Sequence, residues 1–447
     1  MPKAPKQKLY DFVVLPARGV YANTSMGSHA VSILHELTKP GQPETSLDSI
    51  VSSFSGAANV DVSGSKAFKF IVKRSQGKPI GLMVTSPGLV SGPIAVRASA
   101  EAERVLRSAG FRVLRQQKYR LIAPTAFSDL GGTAVPSAVN RRDFRSQLYL
   151  DAPDRQAGPL GHGVTIGVVD TGIDRSHPAL AHAVTGGRCF VKGEDDLAWG
   201  PSNGPVGWHG THVAGILAAR DPGGRCPDGI APEAKIRSYR VFGGGAGTTI
   251  ATIGVINSIL TAVDDGCDII NLSLGGRQLR EDGVRDAINE AWDSGVVCIA
   301  AAGNDGHRPV AFPAAHPNCF GISALGRETL IPAGDADARF VGPPRSAVDP
   351  DVFLATFSNI GPQIDFAGPG VAIVSTLPNN GIGAASGTSM AAPAVAGATA
   401  VALSRNSNIL NGNRDKDRAA AIFAMLVGRA KPFGFGSFDC EGYGVPL

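Results

Sequence analysis

With 447 residues, 43% of them hydrophobic, the chain can bury a large core and form one sizeable domain beside a smaller one, which argues for a globular protein and against a disordered one. A formal net charge of +4 is too small to imply nucleic acid or an anionic membrane surface as a partner, and aromatic residues at 6% are too sparse for an RNA-binding surface. The longest apolar run, Met390–Leu403, contains Pro393 and Gly397 and is too short for a bilayer, so no membrane partner is expected.

The chain opens on a basic stretch, Met1–Lys8, followed by Leu9–Leu15, which holds Asp11 and stops at Pro16. That run is too short and too interrupted for a signal segment, and the expectation is a cytoplasmic protein. Residues 1–60 show weak periodicity and read as a poorly defined leader. Within 61–145, Lys66–Lys73 reads as a short strand, Ala98–Ala109 as an amphipathic helix ended by Gly110, and Val113–Ile122 as a weaker strand. These would form a small α+β region, joined onward through an exposed linker marked by Pro124, Gly131, Gly132 and Pro136.

From residue 150 the pattern alternates. Apolar strands are expected at 164–170, 236–242, 268–273, 296–302 and 319–324, with helices after most of them, so the fold class is α/β: a doubly wound parallel sheet with helices on both faces. The first of these strands ends in Val168-Val169-Asp170-Thr171-Gly172, placing a carboxylate at a strand's carboxyl end, where open α/β sheets build their sites. Next comes His209-Gly210-Thr211-His212-Val213-Ala214-Gly215, in which His209 precedes a helical pattern and is the better base. His212 is the competitor, but a metal-binding pair on a helix would need H-E-x-x-H spacing.

Val296–Gly303 leads into Asn304, a side-chain amide at a strand end that can donate to an oxyanion. Finally Gly387-Thr388-Ser389-Met390-Ala391-Ala392-Pro393 puts Ser389 at the start of a buried helix, where backbone amides point at developing negative charge. A serine hydroxyl needs a neutral imidazole to take its proton, and the imidazole needs a carboxylate to orient it, so Asp170, His209 and Ser389 make one acid, base and nucleophile set. The six cysteines form no C-x-x-C pair and no metal-ligand spacing; Cys267 and Cys298 read as core residues, and Cys298 and Cys319 lie on strands that could be neighbours.

Together these blocks resemble the subtilisin-like serine proteases, the subtilase family, from about residue 150 to the C-terminus. Gly229-Ile230-Ala231-Pro232, Asp268–Gly276, Phe357–Gly361 and Asp365–Gly370 are similar to further family blocks. The resemblance implies Asp170, His209 and Ser389 as the catalytic triad, Asn304 as oxyanion donor, and a serine endopeptidase acting on polypeptide through an acyl-enzyme on Ser389. It also implies that substrate lies as an added strand between Ser273, Leu274, Gly275 and Gly276 on one side and the glycine run around Gly245 on the other. Asp305 falls where the family often has a residue at the rim of the pocket for the side chain before the cut. The N-terminal α+β region resembles a family propeptide by position and size, with cleavage expected between Arg120 and Leu150; a permanently attached accessory domain is the other reading.

Two departures stand out. The loop Arg220–Asp228 sits where many subtilases bind calcium but lacks the Asn-rich pattern; no cofactor is required, and calcium is the one candidate. Gly326–Thr356 is an insertion relative to the family, expected at the surface as a partner or substrate contact. The alternatives to proteolysis are an inactive or autoinhibited protease-like binding module and a peptide ligase using the same triad. Nothing in the sequence decides the oligomeric state.

Overall fold

The computed structural model describes residues 9–15, 82–86, 94–99, 103–104, 107, 112–116, 118–122, 124–129, 143–150, 158–221, 224–225, 227–244, 249–276, 283–331 and 334–447. Its contacts divide the chain into two units: Met1–Lys118 with Ala251–Asn257 and Glu281–Gly283, and Tyr119–Ile250 with Ser258–Arg280 and Val284–Leu447.

The smaller unit contains a four-stranded sheet of β1 (Leu9–Leu15), β2 (Leu82–Ser86), β3 (Ile94–Ser99) and β4 (Arg112–Arg115), in the order β2-β3-β1-β4. All its pairs are antiparallel. The stretch taken as a leader therefore supplies an inner strand: Leu9–Leu15 is rich in aromatic and β-branched residues, a length too short for a signal segment but ordinary for a strand. The expected helix loses its start for a related reason. Ala98 and Ser99 pair with Tyr10 and Leu9 in the ladder, and strand pairing overrides their helical propensity; Glu103, Arg104 and Arg107 are helical, with Arg107 on Glu103 at 3.1 Å. The expected strand at Lys66–Lys73 lies outside the described residues. The one expected at 113–122 is split into β4 and β5 (Lys118–Leu121).

Beyond β5, the chain continues through β6 (Ala126–Asp129), β7 (Thr165–Asp170), β8 (Val184–Cys189), α1 (His209–Ala218), β9 (Lys235–Arg240), β10 (Thr249–Ala251), α2 (Thr252–Asp264), β11 (Ile269–Leu272), β12 (Leu274–Gly275), α3 (Gly283–Asp293), β13 (Val297–Ala301) and β14 (Cys319–Arg327). It ends with β15 (Val352–Leu354), β16 (Phe366–Pro369), β17 (Ile373–Leu377), β18 (Gly381–Ser386), α4 (Thr388–Ser404), α5 (Ser407–Leu410) and α6 (Lys416–Arg429) before the C-terminal turns. The main sheet has the order β15-β14-β13-β11-β7-β9-β8, with β16 also on β14. Every pair in it is parallel except β14 with β15. The expected strands appear within two or three residues of their positions because β7, β11 and β13 are largely apolar runs, buried along almost their whole length, as parallel strands must be.

After β7 the chain first builds β8 and β9 on one side of it and then β11 and β13 on the other, so β7 is the switch point of the sheet. Outside its carboxyl end is where an α/β sheet opens a crevice. Two helices meet there: α1 packs on α4 and β17, and α4 also lies against β13, β14 and β16. Almost every residue of both helices is buried, which their Ala, Gly and Val content permits, since a helix apolar all round belongs inside. The stretch Asp143–Leu150 is anchored to the same unit: the Asp143 carboxylate accepts from Val374 N at 3.1 Å, and buried Arg145 donates to Val374 O at 3.0 Å. Cys298 and Cys319 face each other in the ladder as free thiols, and burial pushes the Cys298 thiol up to about 12. No helix among the described residues is long and apolar enough to cross a membrane.

Candidate active site

Asp170 ends β7 and is fully buried; both its carboxylate oxygens lie against His209 Nδ1, at 2.8 and 2.9 Å. Its neighbour holds the geometry. Thr171 Oγ1 donates to Gly207 O at 3.1 Å and accepts from Gly210 N at 2.9 Å, while Thr171 N donates to Asp170 Oδ1 at 2.7 Å. One threonine thus ties the end of β7 to the first turn of α1, and the Asp-Thr-Gly and His-Gly-Thr motifs are two halves of one joint. With a carboxylate on Nδ1, the imidazole keeps its hydrogen there and presents Nε2 as a base.

His212 stands one helical turn further on with a different task. It is buried, its Nε2 lies 3.2 Å from Gly383 O, and burial, reinforced by the nearby His209 and Arg145, holds its pKa down to about 3. It is neutral at any ordinary pH and belongs to the core.

Ser389 is the second residue of α4. Pro393, four residues on, has no N–H, so the Ser389 carbonyl lacks its helical donor; Ser273 Oγ donates to it instead, at 3.3 Å. Asn304 is fixed through Thr388, whose N–H and Oγ1 both donate to its side-chain oxygen, at 3.0 and 2.8 Å. That leaves the Asn304 amide nitrogen facing Gly387, where a Cβ would stand 3.0 Å from it, so only glycine sits there without pushing the amide aside. Thr388 Oγ1 also accepts from Gly303 N at 3.2 Å, so this residue joins the loop after β13, which carries Asn304, to the start of α4, which carries Ser389.

A strand of the chain itself crosses these groups. Within the larger unit β5 runs antiparallel to β12, with Leu121 opposite Leu274 and Arg120 opposite Gly275, and Ile122 N donates to Ser273 O at 3.3 Å. Ile122 is buried, and its side chain lies on Gly275 so closely that a Cβ there would meet Ile122 Cδ1 at 2.9 Å. Ser389 Oγ donates to the Ile122 carbonyl oxygen at 2.6 Å, while His209 Nε2 is buried and has no hydrogen-bond partner among the described residues. Downstream, Thr125 N donates to Ser386 O at 2.7 Å, and β6 pairs antiparallel with β18 from Ala126 on Ser386 to Asp129 on Gly383. The stretch read as an exposed linker is thus strand as far as Asp129, because β18 offers it an edge.

The family model described as the subtilase family matches residues 161–444. The chain belongs to the subtilase family. It is 36% identical over 273 residues to thermitase of Thermoactinomyces vulgaris, covering 60% of this chain and 86% of that protein. It is 34% identical over 291 residues to the major intracellular serine protease of Bacillus subtilis, covering 63% and 81%, and 35% identical over 289 residues to subtilisin DY of Bacillus licheniformis, covering 64% and 92%. This subtilase is a serine endopeptidase of the subtilisin type.

Other expectations meet the structure differently. Of the residues that the resemblance assigns to substrate, Ser273, Leu274 and Gly275 pair with the crossing strand, Gly276 is bridged to Phe312, and Gly245 lies outside the described residues. Asp305 does not reach the side chain of Ile122; its carboxylate takes Arg120, two residues upstream, at 2.7 Å, and is itself steadied by Asn359 Nδ2 at 3.2 Å. In the loop where the family resemblance would put calcium, Asp221 accepts from the backbone and guanidinium of Arg225, at 2.6 and 3.3 Å. Among the described residues no three His, Cys, Asp or Glu side chains gather together.

Proposed function

We propose that Ser389 is the nucleophile of this endopeptidase, His209 its base, Asp170 the group that orients His209, and Asn304 with the Ser389 N–H the oxyanion donors, and that the first bond they cut is the chain's own Ile122–Ala123. Ser389 Oγ adds to the Ile122 carbonyl carbon as His209 Nε2 takes its proton; the C–N bond then breaks as His209 returns the proton to the Ala123 amine, leaving Ile122 esterified to Ser389 for water to release. The observation that carries this reading is the 2.6 Å hydrogen bond between Ser389 Oγ and Ile122 O, made by a strand already paired to β12. Residues upstream of the cut would serve as propeptide, and the new N-terminal stretch through β6 would lift off β18 before another substrate takes its place, while the anchored Asp143–Leu150 stretch stays with the enzyme.

A second reading has its own support. Ser389 spends its hydrogen on the substrate oxygen rather than on His209 Nε2, so the hydroxyl must rotate before attack, as in a strap held uncut. Religation has support too, because β12 pairs with the strand before the cut bond and β18 with the strand from Thr125 onward. Intact mass over time separates the three, with wild type beside Ser389→Ala and a fluorophosphonate probe on both. Loss of residues 1–122 from wild type alone supports self-processing; a wild-type chain that stays whole and takes no label supports the strap; and re-formation of the full-length mass from separated, cut protein supports ligation.

A further inference from the structure

The insertion between β14 and β16, which departs from the family pattern, reaches the crossing strand on its downstream side. Its short helical turn Ala336–Phe340 carries Arg339, whose Nη2 donates to Thr125 O at 2.6 Å. The turn is well held. Asp335 caps it by accepting from Asp337 N, the Phe340 ring packs edge-on against Phe357, and the Arg339 guanidinium lies 4.7 Å above the Phe340 ring. Buried Asp337 accepts from Ser386 Oγ at 2.9 Å, and the carbonyl of that same Ser386 receives both the N–H and the hydroxyl of Thr125. Thr125 is therefore gripped at its amide, hydroxyl and carbonyl, and the insertion makes or braces each contact.

Two residues further along, Phe127 stacks on Trp208, with ring centroids 4.0 Å apart and planes 18° from parallel. Trp208 directly precedes His209, its ring 5.7 Å from the imidazole, and Phe127 remains 40% exposed, as a surface aromatic resting on a platform. Stacked aromatic pairs contribute beyond the area that they cover.

We propose that these contacts form a leaving-side subsite for polypeptide substrates. Arg339 holds the carbonyl of the third residue beyond the cut bond, Trp208 receives an aromatic side chain at the fifth, and substrates with Phe, Tyr or Trp there are preferred. The inference rests on the reading that residues 119–129 lie as a substrate does. A hydrogen bond from a charged donor to backbone grips any sequence, so Arg339 sets strength, whereas Trp208 sets selection.

The test uses the full-length protein, allowed to process as it will, with an internally quenched peptide of the sequence Lys118–Asp129, the same peptide with Phe127→Ala, and Tyr-Arg-Leu-Ile-p-nitroanilide, which has no leaving-side residues. In wild type the Phe peptide should exceed the Ala peptide about tenfold in kcat/KM, and in Trp208→Leu that ratio should fall to about two. In Arg339→Ala the ratio of Phe peptide to nitroanilide should fall about tenfold, with Arg339→Lys between. Equal turnover of the two peptides, with the nitroanilide cleaved, overturns the subsite alone; no turnover of any substrate overturns the endopeptidase reading and this proposal with it.

Discussion

The strand that crosses the site is held in two ways on its two sides. Upstream, Arg120, Leu121 and Ile122 lie along β12 by backbone pairing over glycine, the means by which any sequence can be bound. Downstream, β6 pairs with β18 and is held in addition by side chains, Arg339 on Thr125 and Trp208 on Phe127. The difference separates chemistry from selection. On the proposed reading the upstream half delivers a carbonyl to Ser389 and is held by motif residues, whereas the downstream half is held by an insertion and an aromatic that this chemistry does not require.

The largest effect that would sharpen this division is at Asn304. Asn304→Leu removes the proposed oxyanion donor, whose side chain Thr388 fixes, and kcat should fall about 10²–10³-fold while KM hardly moves. Rates on Tyr-Arg-Leu-Ile-p-nitroanilide would show it; a change confined to KM would assign Asn304 to binding instead. Next in size is Gly275→Ala. Its new Cβ would press on Ile122 Cδ1, so preference before the cut should shift from Ile to Ala by about tenfold, read from a pair of nitroanilides. An unchanged preference would mean that the upstream half does not read that side chain through β12.

Most of the upstream half was legible and most of the downstream half was not, for physical reasons. Asp170, His209, Asn304 and Ser389 stand at the ends of apolar runs, because chemistry places polar groups where strands and helices end; the runs are long enough to read and the polar residues stand out against them. Ala126–Asp129, by contrast, is a strand only because β18 offers an edge, and Leu9–Leu15, though its composition suits a strand, has the partners that fix it, β3 and β4, far along the chain, so neither pairing shows locally. Arg339 lies in a stretch of Pro, Asp and Ala with no periodicity, and nothing local marks the side chain that would meet Thr125. Thr171 and Thr388 sat inside recognised motifs, yet their joining roles depend on contacts distant in sequence.

Acid should distinguish folding from catalysis. Burial holds His212 down to about 3 and His316 to about 4, so below pH 6.5 the unfolded chain binds protons that the folded one refuses, and both histidines cost stability as pH falls from 6.5 towards 4. Asp365, pushed up to about 6 by burial, works the other way: it takes a proton in the folded state first and offsets one histidine over part of that window. These three groups together should therefore lower stability by about 1.4 kcal/mol per pH unit, the equivalent of one proton. Urea midpoints at pH 6.5, 5.5 and 4.5 measure this slope, and His212→Gln should largely flatten it; an unchanged slope would show that His212 already shares its proton with the folded state.

The smallest expected effect is at Asp305, and it bears most directly on the comparison because it is a selective contact in the unselective half. Arg120 is 61% exposed and Asp305 40%, so water and salt screen the pair, and an exposed ion pair is worth little. Asn359 nevertheless holds Asp305 by two contacts, the backbone N–H of Asp305 on its Oδ1 at 2.9 Å and its Nδ2 on Asp305 Oδ2 at 3.2 Å, which lowers the cost of ordering the carboxylate for a partner. A peptide with Arg three residues before the cut should therefore exceed its Gln counterpart by only about two- to fivefold in kcat/KM at low salt, and by nothing in 1 M salt. Asp305→Asn should remove the difference at every salt concentration. A preference that survives both salt and Asp305→Asn would come from the aliphatic stem of the arginine packing on the cleft wall, and selection on the upstream side would then rest on shape rather than charge.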